Sequence, residues 1–91
     1  MDFLVDHVVI PSFDGRDGPP SIIDPACGDG RMLAAAGAAL AARFGVDPRP
    51  YLVGCELDAP VAELTASRVG IRVVAGDARS IDLGGPFDVV I

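Results

Sequence analysis

Ninety-one residues allow one small domain, and a composition 51% hydrophobic and 22% charged describes a packed chain rather than a disordered one. The formal charge of −6 and a pI near 4.3 exclude a general attraction for nucleic-acid phosphates. No apolar run approaches the ~20 residues that span a bilayer, and residues 1–10 lack the basic start and small-residue cleavage site of a secretory leader, so a cytoplasmic location is expected.

Phe3, Leu4, His7 and Val8 recur at helical spacing, although the run from Leu4 to Ile10 is also strand-like; a short helix closed by Pro11 is the preferred reading. Asp14 to Pro20 is a turn-rich loop, read as a linker, which makes residues 1–20 a segment apart from residues 21–91. Ser21-Ile22-Ile23-Asp24 is a first strand entering a Gly-rich turn. A helix should start at Asp29 or Gly30 and run to about Phe44, with the stripe Leu33, Gly37, Leu40, Phe44 inward and Gly45 as its stop. Residues 51–55 form a second strand. Asp58 then caps a short helix with Pro60 in its first turn, Val61, Ala62, Leu64 and Ala66 inward, and Gly70 at its end. Residues 71–75 are a third strand, 83–86 a turn and 87–91 a fourth strand. Strands separated by helical stretches of about a dozen residues imply right-handed βαβ units, and their apolar character suits a parallel sheet covered on both faces.

In such α/β sheets ligands bind beyond the carboxyl ends of the strands. Three ends carry chemistry here: Asp24 to Gly30, Glu56 to Asp58, and Asp77 with Ala78. Gly28 and Gly30 would let the backbone pass close to a ligand, although an ordinary strand–helix turn would use the same glycines. Leu33 stands where a dinucleotide fingerprint needs its last glycine, which disfavours a nicotinamide-dependent oxidoreductase. Glu56 can accept hydrogen bonds from both hydroxyls of a ribose, Leu57 can cover an adenine ring, and Asp77 can accept from an exocyclic amine. Each acid alone could equally be a solvated loop residue or a turn former. Together they outline an adenosyl site without a pyrophosphate. Cys27 and Cys55 have neither CxxC spacing nor neighbouring ligands, so free buried thiols are expected and no metal site.

Residues 22–33, which include Asp24-Pro25-Ala26-Cys27-Gly28-Asp29-Gly30, resemble the first motif of the amino-methylating (N6-adenine) DNA methyltransferases, class I enzymes dependent on S-adenosylmethionine. In that family the segment typically reads Asp-Pro-Ala-Cys-Gly-Ser-Gly. Gly54-Cys55-Glu56-Leu57-Asp58 looks like the second motif and Ala75-Gly76-Asp77-Ala78 like the third, while residues 87–91 resemble the strand leading to the Asn-Pro-Pro-aromatic catalytic motif. The resemblance covers residues 21–91 and is specific only in its first motif. It implies a Rossmann-like half-sheet of parallel strands in the order 3-2-1-4 with flanking helices, truncated before strand five. It also implies that backbone at Ala26 and Gly28, in the turn closed by Gly30, holds the methionine portion of S-adenosyl-L-methionine, with Asp24 orienting its amino group. Glu56 would take the ribose, Leu57 the adenine face, Asp77 the adenine amine and the Ala78 N–H a ring nitrogen. Asp29 replaces the usual Ser, and the Asn-Pro-Pro-aromatic segment is missing from these residues.

The implied function is the cofactor-binding part of a methyltransferase acting on an exocyclic amine of a DNA base, adenine N6 first, with DNA gripped by regions outside this chain. The chain alone is expected to be inactive and to be a fragment, with an apolar strand at 87–91 through which copies could associate. The alternatives are a methyltransferase of RNA, protein or a small molecule, and a non-catalytic S-adenosylmethionine-binding or interaction module.

Overall fold

The computed structural model describes residues 5–80 and 86–91. Most of the expected turn at 83–86 and the Phe3–Leu4 start of the N-terminal element lie outside them. Four parallel strands, β1 (Ile22–Asp24), β2 (Leu52–Glu56), β3 (Arg72–Ala75) and β4 (Val89–Val90), form one sheet in the order β3-β2-β1-β4. Ile22 lies opposite both Leu52 and Val89, and Glu56 lies opposite Ala75. This register brings Asp24, Glu56 and the turn after Ala75 out at the same end of the sheet. The order is the one anticipated, and two helices, α1 (Arg31–Phe44) and α2 (Ala59–Val69), make the β1-to-β2 and β2-to-β3 connections.

The alanine-rich α1 buries Leu33, Ala36, Gly37 and Leu40. Its small residues allow close approach: a Cβ on Gly37 would stand 3.2 Å from Leu52 Cδ1. Phe44 is only partly buried and meets Phe13 edge to face, with ring centroids 5.2 Å apart. Asp58 caps α2 by accepting from the Val61 N–H at 3.1 Å, and Gly45 and Gly70 end the two helices in left-handed conformation. The inward face of α2 differs from the expected one. Leu64 is 69% exposed, whereas Ala62 and Thr65 are buried. Ala62 and Thr65 stand three residues apart on the inward face, where the Thr65 hydroxyl meets the Gly28 carbonyl, and this phase turns Leu64 outward.

Residues at the chain start belong to this core as well. A single π-helical turn at Val5–Val9 and a 3-10 turn at Pro11–Phe13 place Val5, Val9 and Phe13 in the same cluster as Ile22, Leu33, Leu40 and Leu52. The first element thus ends before Pro11, as expected, and Pro11 opens a second turn. Tyr51 belongs to a 3-10 turn, so β2 starts one residue later than expected and carries Glu56 as its last residue. β4 is limited to Val89–Val90, shorter than the expected strand at 87–91, although the Ile91 N–H continues onto the Ile23 carbonyl at 2.9 Å.

The two faces of the sheet are covered unequally. α1 and α2 share one face, where Leu33 and Val69 join the main cluster. On the other face Ile23 and Cys55 are backed by Val53, Val74, Ala78 and Phe87, a much smaller layer than the two-sided cover the apolar strands suggested. No helix among the described residues is long and apolar enough to cross a membrane.

Candidate functional site

The loop from β1 to α1 is tied down at every step. Asp24 Oδ1 accepts from the Ala26 N–H at 3.2 Å, the Cys27 N–H donates to the Cys55 carbonyl at 2.9 Å, and the Gly30 N–H donates to the Cys27 carbonyl at 2.9 Å. Gly28 and Gly30 take positive φ values of 53° and 80°, so this loop needs glycine at both positions. Asp29, the departure from the usual serine, does local work. Its carboxylate accepts from the Arg31 N–H at 3.1 Å and the Arg31 guanidinium at 3.2 Å, and the backbone bond foremost holds it below the ordinary carboxylate range.

Asp24 is 7% exposed, and desolvation raises its pKa above the ordinary 3.8 despite the opposing Ala26 N–H bond. A carboxyl whose folded pKa is raised binds its proton more tightly in the folded state. Its contribution to stability therefore falls as pH climbs from about 4 through the folded pKa. The stability of the wild type relative to Asp24→Asn is accordingly expected to be greatest near pH 3.5 and to decline towards pH 7, as measured by thermal midpoints of both proteins across that range. A constant difference would show that Asp24 carries no burial cost. Cys27 and Cys55 are free and buried. Burial, reinforced by the nearby Asp24 and Glu56, pushes the Cys27 thiol up to about 11, which suits packing and not nucleophilic chemistry.

Beyond the ends of β1, β2 and β3 lies a groove of about 390 Å³ lined by Pro25, Ala26, Glu56, Leu57, Asp77, Ala78 and Arg79. It brings together five of the eight residues singled out in the sequence. Leu57 is 74% exposed and offers an apolar surface between two carboxylates. Glu56 Oε2 accepts from the Asp58 N–H at 2.9 Å, which fixes the side chain at the strand end while its other lone pairs stay available to hydroxyl donors. Asp77 stands two residues past β3 and accepts from Arg79: Oδ1 takes the backbone N–H at 2.9 Å and Oδ2 the guanidinium at 2.9 Å. These bonds, the side-chain pairing first, hold its carboxyl low. An amine donor would have to share those oxygens with the guanidinium or displace it.

A second hollow of about 440 Å³ includes Asp24, Ala26, Cys27, Asp29 and Met32 in its lining, and Ala26 joins it to the groove. Together they can hold an elongated ligand with a ring and sugar at one end and an amine-bearing tail at the other. Gly28 and Gly30 line neither hollow. Gly30 faces α2 instead: a Cβ there would stand 2.7 Å from Thr65 Cγ2. Pro25, Thr65 and Arg79 were not anticipated. For Arg79 a signal existed in the Asp-x-Arg spacing that recurs at Asp29, Asp47 and Asp77. Among the described residues no group of three or more His, Cys, Asp or Glu could hold a metal ion.

This strand order is that of a Rossmann-like α/β fragment, a fold shared with parts of solved methyltransferases. A Listeria monocytogenes protein (lmo1582) assigned to the class I S-adenosylmethionine-dependent methyltransferases superimposes with a TM-score of 0.73 at 24% identity, over 97% of this chain and 28% of that one. CalS10 of Micromonospora echinaspora, an amino pentose methyltransferase of calicheamicin biosynthesis solved with S-adenosylmethionine bound, gives 0.65 at 32% identity, over 94% of this chain and 33% of that one. The chain thus spans a third or less of the length of these proteins. No family model and no curated protein matches the sequence.

Proposed function

We propose that the chain is the S-adenosylmethionine-binding portion of a methyltransferase that acts on an exocyclic amine of a DNA base, adenine N6 first. The observation that carries the cofactor is the single groove in which Glu56, Leu57, Asp77 and Ala78 meet Ala26. Glu56 takes the ribose hydroxyls, Leu57 covers the adenine face, and Asp77 with the Ala78 N–H reads the adenine edge. Asp24 and the backbone at Ala26 serve the amino-acid tail, and Gly28, which lines neither hollow, shapes the turn that presents them. Bound S-adenosylmethionine would supply an electrophilic methyl carbon activated by its sulfonium. The contribution of these residues is positioning: they hold the donor at one depth and angle so that an incoming amine meets the methyl group in line.

The DNA base as acceptor rests on the Asp-Pro-Ala-Cys-Gly run at 24–28. Among the described residues, acids pair with arginines at Arg16–Asp88, Arg31–Asp29, Arg49–Asp47 and Arg79–Asp77. With a net charge of −6, the grip on DNA and the extrusion of the base fall to regions outside this chain. A second reading keeps the cofactor and takes a small-molecule amine as acceptor. It is favoured by the 32% identity to an enzyme of amino pentose methylation.

Calorimetric titration tests the shared part. The chain is expected to bind S-adenosylhomocysteine measurably and more tightly than NAD; tighter binding of NAD would remove the cofactor assignment.

A further inference from the structure

A helical threonine ordinarily turns its hydroxyl back onto the carbonyl four residues earlier in its own helix. Thr65, 3% exposed on the inner face of α2, instead donates to the Gly28 carbonyl at 2.7 Å, across 37 residues of sequence. Its other branch is used as well. Thr65 Cγ2 occupies the space that a side chain on Gly30 would need, 2.7 Å from an ideal Cβ there. Val69 Cγ1, one helical turn on, stands 3.0 Å from the same point. One residue of α2 thus holds two successive glycines of the β1–α1 loop, one through its hydroxyl and one through its methyl.

The peptide plane carries this hold to the other side of the loop. In a trans peptide the N–H of the next residue points opposite to the carbonyl. Drawing the Gly28 carbonyl onto α2 therefore turns the Asp29 N–H away from α2, and Asp29 itself lines the hollow that contains Asp24 and Ala26. We propose that Thr65 is a positioning residue for the tail end of the cofactor site: it fixes the Gly28–Asp29 peptide so that its N–H faces an acceptor on the ligand's amino-acid portion. This rests on the cofactor reading given above. Serine would keep the hydroxyl and lose the methyl; valine would keep the shape and leave the Gly28 carbonyl only the weak Cys27 thiol contact at 4.0 Å.

The test compares wild type, Thr65→Val and Thr65→Ser in the full chain with two readouts. In the free protein, amide hydrogen exchange at residues 28–31 is expected to speed up about tenfold or more in Thr65→Val, with Ala36 and Leu40 of α1 unchanged, and to stay within about threefold of wild type in Thr65→Ser. In titrations, Thr65→Val is expected to lose about tenfold in affinity for S-adenosylhomocysteine and less than about threefold for adenosine, which lacks the amino-acid tail. A merely structural role would lower both affinities together. Unchanged exchange in a folded Thr65→Val protein, or equal loss for the two ligands, would overturn the proposal. Absence of ligand binding by wild type, with loop exchange still accelerated in Thr65→Val, would uphold Thr65 as the lock on the loop and sink the cofactor reading instead.

Discussion

Glu56→Ala is expected to weaken S-adenosylhomocysteine binding by about 30- to 1,000-fold, the equivalent of roughly 2–4 kcal/mol. On the proposed reading, the substitution would remove two charge-assisted hydrogen bonds to the ribose and leave both hydroxyls partly desolvated beside Leu57. Glu56 also accepts from the Asp58 N–H at the cap of α2, so a small stability cost accompanies the loss of affinity. That bond is solvent-exposed and should contribute no more than about 1 kcal/mol. Isothermal titration and a thermal midpoint on the same preparation separate the two effects. Glu56→Gln, which keeps one acceptor, should fall between wild type and alanine. If Glu56 served only as a loop anchor, affinity would move by less than about threefold while the midpoint still dropped, and the adenosyl site would lose its central contact.

Gly30→Ala is expected to be strongly destabilising, by about 2–5 kcal/mol. Two independent costs combine. A left-handed backbone at φ 80° costs an L-residue roughly 1–2 kcal/mol, and forcing a methyl into a filled space costs about 1–3 kcal/mol more. Against the roughly 5–15 kcal/mol that a domain usually possesses, this threatens folding at physiological temperature. The nearest obstacle is Thr65 Cγ2, the terminal methyl that serine lacks. Adding Thr65→Ser should therefore recover about 1 kcal/mol of the loss, read as a non-additive double-mutant cycle by urea denaturation. Strict additivity would place the whole cost in the backbone conformation and none in the contact with α2.

Much of the architecture was legible because its causes are local. Gly45 and Gly70 after helix-forming runs, Asp58 before Pro60, and β-branched residues in three short runs each announce an element boundary or type without knowledge of the fold. The parallel order followed from the spacing of those elements together with the motif resemblance. The two hollows were legible for the same reason: Asp24 and Glu56 end their strands, Asp77 follows the third closely, and strand ends on one edge of a parallel sheet are neighbours in space. What escaped depends on packing. Leu64 and Thr65 are adjacent, and hydrophobicity alone sends the leucine inward; the loop carbonyl at Gly28 reverses that preference by supplying the threonine with a buried acceptor. Likewise, Gly30 suggested room for a ligand, whereas its missing side chain makes room for α2. The motif marks where a close approach occurs, and the surrounding chain decides what approaches.

The strand order also has a kinetic side. β1 meets β2 and β2 meets β3 across roughly 30 and 20 residues, but β4 reaches β1 only after a span of 67, the separation of the Ser21–Asp88 bonds that close its start. Doubling a loop adds only about 0.6 kcal/mol to the entropy of closing it, yet β4 repays that cost with just two paired residues and a carboxylate latch. The part of the sheet that carries Asp24, Glu56 and Asp77 can consequently zip together from nearby contacts, with β4 docking last. The groove lined by Glu56, Leu57 and Asp77 then belongs to the early-forming portion of the molecule, and its assembly does not wait for the strand at the far edge.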